Sequence, residues 1–248
     1  MAKQGQELRK FVAPEFVYGF GARSMSAQYA VNMGLKRPLL VTDAGVTDAG
    51  WTDDVRRTLE QAGLEVVVFD RVTPNPQGYE VEAGVAVYRE ETCDGIVAVG
   101  GGSPIDCAKG IGIAATNGDA ILEYEGIDEV FTPIPPLICT PTTAGTGADL
   151  SQFAIIGDTR RKTKIAIVSK AVVPDVALVD PETTFTMDRE LTANTGMDAL
   201  THALEALVSN ASSDITSLHA LEACKLVFQH LRTAAKEPED RTAREGMM

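Results

Sequence analysis

Apolar residues along the chain fall into short β-branched runs separated by stretches with helical spacing. Pro38-Leu39-Leu40-Val41-Thr42 reads as a buried strand ending at Asp43. Thr52 to Ala62 carries Val55, Leu59 and Ala62 on one helical face and stops at Gly63. Glu65 to Phe69 is the next strand, the turn Thr73 to Pro76 follows, and Gly78 to Thr92 reads as a helix. Ile96 to Val99 and Leu137 to Thr140 are two more buried strands, and an extended opening lies around Phe11 to Val17. This alternation predicts a parallel sheet with helices on both faces. Phe153–Ile156 and Lys164–Val168 flank a polar segment as a hairpin would, and Val176 to Asp180 adds one more strand. Strand patterns then cease. Met197, Leu200, Leu204, Leu207 and Val208 form one helical stripe, and Ile215, Leu218, Leu221, Leu226, Phe228 and Leu231 another. The pattern predicts an α/β fold: an N-terminal doubly wound parallel-sheet domain over 1–188, then an incomplete all-helical domain over 189–248.

The centre of this pattern is Gly95 to Gly112. A buried strand runs into Gly100, Gly101 and Gly102, and Ser103-Pro104 opens a helix carrying Ile105, Ala108 and Ile111. Ser103 is read as the N-cap, Pro104 as the first helical residue, and Asp106 as completing a capping box. Such a turn aims backbone N–H groups and the positive end of a helix at one spot, where a phosphate fits and no side chain intrudes. The motif is neither the dinucleotide fingerprint G-x-G-x-x-G nor a P-loop.

Composition narrows the function classes. The net charge of −13, with no basic stripe, argues against nucleic acid and anionic membranes as partners. No apolar stretch reaches membrane-spanning length, and the charged opening MAKQGQELRK argues against a secretory leader. The four cysteines, at 93, 107, 139 and 224, are scattered as in a protein of the reducing cytoplasm.

Three constellations could carry chemistry. Asp43 ends an early strand, where a carboxylate can accept from an adenosine ribose or simply cap the next turn. The loops Gly100–Ser103 and Thr142–Gly147 both follow buried strands and so share one sheet edge; the first offers backbone N–H groups, the second the hydroxyls of Thr142, Thr143 and Thr146. Asp198 and His202 stand four apart on a helix, about 40° apart around its axis, and either reach one divalent metal or belong to a solvated face. His219 and His230 fit a helix exterior or partial core equally well.

GGGSPIDCAK (Gly100 to Lys109), TTAGTGAD (Thr142 to Asp149) and NTGMDALTHALEAL (Asn194 to Leu207), with VTD at Val41 and TPNP at Thr73, resemble the iron-dependent (group III) alcohol dehydrogenases. The resemblance makes the parallel-sheet domain over 1–188 dinucleotide-binding, and it implies NAD and a divalent metal, Fe²⁺ or else Zn²⁺, in a cleft between that domain and the helical one. It implies Asp43 at the adenosine ribose, favouring NAD over NADP, and Asn75 near the adenosine. It implies Gly101, Gly102 and Ser103 on the pyrophosphate with Asp106 in the same pocket, and Thr142, Thr143, Thr146 and Lys164 completing the cofactor site. Asp198 and His202 match metal ligands; the family's further ligands are histidines on later helices, which this sequence does not reach, so a fragment of a longer enzyme is expected. Asp149 stands where the family usually carries glutamate. The implied activity is hydride transfer between a small alcohol or aldehyde and NAD. The alternatives are an inactive NAD-binding module and a glycerol or polyol dehydrogenase of the same fold. Exposed strand edges would allow a homodimer.

Overall fold

The computed structural model describes residues 11–118 and 120–248. The charged opening segment MAKQGQELRK, on which the expectation about a leader rests, lies outside them. The chain begins with β1 (Glu15–Tyr18), α1 (Ser26–Asn32), β2 (Pro38–Asp43), α2 (Ala44–Asp48), α3 (Trp51–Gln61) and β3 (Val67–Val72). It continues through α4 (Gly78–Glu90), β4 (Gly95–Gly100), α5 (Gly102–Asn117), β5 (Gly126–Ile127) and β6 (Leu137–Pro141). β7 (Phe153–Asp158), β8 (Thr163–Val168) and β9 (Val176–Val179) precede three helices, α6 (Arg189–Val208), α7 (Asp214–Lys236) and α8 (Arg241–Met247).

Six strands form one sheet in the order β1-β9-β6-β4-β2-β3, every neighbouring pair parallel. Because side chains alternate along a strand, each central strand feeds two cores. Leu39, Val41, Ile96, Ala98, Leu137 and Cys139 face α4 and α5, while Leu40, Val97, Val99 and Ile138 face α1 and α3. All of these are fully buried, each contributing roughly 1.5–3 kcal/mol for a Val, Leu or Ile side chain. The predicted hairpin is the antiparallel pair β7–β8, to which β5 adds a short third strand with no apolar run to announce it.

After β9 the chain is tied down before it turns helical. Arg23 donates to Asp54, to the fully buried Asp180 and to Glu182, and lies 4.8 Å over the Trp51 ring. Asp188 then caps α6, its Oδ1 accepting from Leu191 N at 2.7 Å. The helices pack differently from the expected stripes. Met197, Leu204 and Val208 of α6 and Ile215, Leu218, Leu221 and Phe228 of α7 are exposed. The face buried between α6 and α7 is built instead from small residues, with Gly196, Ala203, Ala220 and Ala234 beside Leu200 and Val227. Small side chains let the helix backbones approach: a Cβ on Gly196 would run into Leu231.

Candidate functional site

The parallel sheet carries the ends of β2, β3, β4 and β6 to a single edge, and the strand order reverses between β2 and β4. Ligands of open α/β sheets bind at such a crevice. Here it is a cleft of about 1170 Å³, with α6 along its far side.

The glycine turn forms its floor. Gly100 has φ 152, a conformation that disfavours any side chain, and a Cβ there would also strike Pro104. Gly101, extended at φ −75 and ψ −162, is the N-cap, and no side chain caps the helix. The expected capping box is therefore absent. Because the glycine itself makes the turn, α5 starts two residues early, with Ser103 and Pro104 inside its first turn. Ser103 Oγ instead accepts from Asn75 N at 3.1 Å, which ties the TPNP turn to the glycine turn. Asn75 holds a left-handed φ of 60, and Gln77 Nε2 donates to its carbonyl at 2.5 Å. The first N–H groups of α5 are left uncapped toward the cleft, the arrangement an anion selects.

The threonine loop leans on this floor. Thr142 N donates to Gly100 O at 3.0 Å. A Cβ on Gly101 would lie 3.0 Å from Thr143 Oγ1, and one on Gly102 would lie 2.9 Å from Thr146 Oγ1. The far end of the loop is pinned by Lys109, which is fully buried. Its Nζ donates to the carbonyls of Ala148 at 2.6 Å, Ser151 at 2.8 Å and Phe153 at 2.8 Å. Burial holds its pKa below the ordinary lysine value. Three carbonyls around one ammonium satisfy its donors. Sequence reasoning passed over Lys109, although a lysine in the apolar helix run Ile105 to Ile113 was a legible signal.

Asp106, one turn along α5, also lines the cleft. Desolvation pushes its carboxyl up to about 7, against the opposing pull of Lys109, the Ile155 backbone N–H and Lys164. Asp43 lines the wall at the end of β2, and its Oδ1 accepts from Val46 N at 2.9 Å. It thus caps α2 as well as facing the cleft. Lys164 of β8 lines the same cleft. Trp51, Thr186 and Thr195 also line it and were not singled out from the sequence; Trp51 Nε1 donates to Thr186 Oγ1 at 2.8 Å.

On α6, His202 lines the cleft and Asp198 stands beside it, Asp198 Oδ2 lying 3.6 Å from His202 Nε2. At that separation the two are neighbours without a hydrogen bond. Both side chains are about half exposed. Among the described residues no third His, Cys, Asp or Glu joins them, and neither His219 nor His230 lines the cleft. A nitrogen and an oxygen donor one turn apart suit Fe²⁺ or Zn²⁺ as two members of a larger ligand set.

A switch-point cleft with uncapped helix N–H groups on one side and a carboxylate–imidazole pair beside the other belongs to a doubly wound α/β protein with a helical continuation. Comparison with known proteins makes the family specific. The profile described as iron-containing alcohol dehydrogenase matches residues 13–181, and that of the Fe-containing alcohol dehydrogenase family, C-terminal, matches 192–248. The chain belongs to the iron-containing alcohol dehydrogenase family. It is 39% identical over 237 residues to the NAD-dependent methanol dehydrogenase of Bacillus methanolicus, covering 96% of this chain and 62% of that one. It is 42% identical over 232 residues to the 1,3-propanediol dehydrogenase of Klebsiella pneumoniae, covering 93% and 60%. The crystal structure of a 1,3-propanediol oxidoreductase superimposes with a TM-score of 0.95 at 40% identity, over 97% of this chain and 63% of that one. A sulfoacetaldehyde reductase from Bifidobacterium kashiwanohense, solved in complex with NAD⁺, superimposes with a TM-score of 0.88 at 33% identity, over 98% and 64%. The chain thus spans about three fifths of the length of these relatives.

Proposed function

We propose that the chain holds NAD in this cleft and offers ligands to a divalent metal, Fe²⁺ by family and Zn²⁺ by donor chemistry. Its activity on this reading is that of an oxidoreductase moving hydride between NAD and a small alcohol or aldehyde. The observation that carries the reading is that both loops and His202 line one cleft. The NAD dependence of the methanol dehydrogenase and the NAD⁺ in the reductase structure support the cofactor. When bound, NAD supplies the hydride-accepting ring, and the cation supplies Lewis-acid polarisation of the substrate oxygen.

The chain's own residues bind and orient. The N–H groups of Gly102 and Ser103 hold the pyrophosphate, and because Ser103 Oγ accepts from Asn75 N, its own proton is free for a phosphate oxygen. Thr142, Thr143 and Thr146 supply hydroxyls across the cleft, and Lys164 a counter-charge. The capping bond from Val46 N orients the Asp43 carboxylate at the ribose end, where it accepts from paired hydroxyls and repels a 2′-phosphate. Asp198 and His202 hold the metal from α6. The division this assigns is a cofactor domain over 1–188 and a metal domain over 189–248. The reading extends to a homodimer through the edge strand β1, where Phe16 and Tyr18 are exposed, and to a cytoplasmic protein whose four cysteines are unpaired thiols. Among the described residues no helix is long and apolar enough to cross a membrane.

The test uses the single tryptophan, which lines the cleft. NAD is expected to change Trp51 fluorescence saturably and NADP far more weakly. The His202→Ala chain keeps that titration, and in the full-length enzyme the same substitution abolishes metal-dependent NADH formation from alcohols. NADH formation undiminished in His202→Ala rejects the metal assignment.

A further inference from the structure

The threonine loop has two faces. Thr143 and Thr146 abut Gly101 and Gly102, while Gly145 points the other way, against α6. A Cβ on Gly145 would lie 3.0 Å from Thr195 Cβ, 3.0 Å from Thr195 O and 3.3 Å from Thr195 Cα. Gly145 is not among the positive-φ residues, so its backbone conformation does not demand glycine. The close approach of a helix does.

That contact leaves nothing soft to yield. Two of the three atoms are helix backbone, and the Thr195 side chain is held by its own bond, Oγ1 donating to Leu191 O at 2.9 Å. The loop is also anchored at both ends. Thr142 N is bonded to Gly100 O, and Ala148 O is bonded to the buried Lys109. The loop is therefore a spacer between the phosphate turn and α6. Thr195 precedes Asp198 by three residues and His202 by seven, all within about 60° around the helix axis.

We propose that Gly145 is a positioning residue: its missing side chain sets the separation between the cofactor loop and the Asp198–His202 pair. This rests on the NAD reading of the cleft. Spacing of this kind matters because a misplacement of about 1 Å costs roughly a hundredfold in rate.

Amide hydrogen exchange of the 248-residue chain, with and without NAD, tests the spacer. In the parent chain, NAD slows exchange by about tenfold or more both at 100–106 and at 192–199. In Gly145→Val the slowing at 100–106 persists and the NAD affinity by Trp51 fluorescence stays within about twofold, while the slowing at 192–199 drops below about twofold. Gly145→Ala falls between, and it carries the test if the valine chain loses its folded circular dichroism. A merely structural glycine would lower the melting temperature and leave the NAD-linked slowing at 192–199 intact. Equal slowing at 192–199 in parent and variants, or slowing at 100–106 alone in the parent, overturns the spacer. No slowing at 100–106 in the parent overturns the NAD reading beneath it.

Discussion

Asp106 shows how a single buried carboxyl couples the site to stability. Its folded pKa of about 7 lies above the ordinary 3.8, because the cleft wall desolvates it more than Lys109 and Lys164 compensate. Between these values the native chain keeps a proton that the unfolded chain releases. The contribution is therefore fully present below about pH 4 and is lost as pH rises through about 7, at most about 4 kcal/mol. Urea unfolding of the ligand-free chain is expected to show this decline, and Asp106→Asn to flatten it. Parallel profiles for the two proteins would mean the carboxyl titrates normally. Lys109 is the opposite case. It is a buried cation whose three carbonyl partners replace water, and its work is to hold the loop's backbone still.

At the level of elements, the legible parts were those in which one physical signal acts alone. β2, β4 and β6 were readable because strands buried on both faces must be continuous apolar runs. The turn at Gly100 to Gly102 was readable because a strand-to-helix turn with no room for side chains needs consecutive glycines. Ser103 was misplaced because a serine before a proline carries a capping signature, whereas the local competition was won by Gly101 adopting the cap conformation. The stripes on α6 and α7 misled for a related reason. Large apolar side chains signal burial only if something covers them, and here the glycines and alanines, carrying little hydrophobic signal, make the contact. Trp51 and Thr186 were illegible because they meet 135 residues apart, through a turn that Arg23 organises. The glycine turn itself gives the prediction for this scale. In Gly102→Val the new side chain must displace Thr146, whose Oγ1 lies 2.9 Å from the Cβ position. NAD affinity should fall about tenfold or more, read by Trp51 fluorescence, while far-ultraviolet circular dichroism is unchanged. Unchanged affinity would place the pyrophosphate elsewhere.

Across the whole molecule, the sheet edge and α6 face each other over one cleft, and every assigned role depends on that juxtaposition. The net charge of −13 makes the backbone cradle more telling, since on the proposed reading an anionic cofactor would meet N–H groups and Lys164 in an otherwise strongly acidic protein. The exposed apolar residues Leu204 and Val208 of α6 and Leu218 and Phe228 of α7 do not line the cleft. The most direct measurement is a crystal structure of the chain with NAD. The pyrophosphate is expected on the N–H groups of Gly102 and Ser103, the adenosine ribose on Asp43 and the nicotinamide between the threonine loop and His202. A dinucleotide bound with its nicotinamide directed away from α6, or outside the cleft altogether, would contradict this placement.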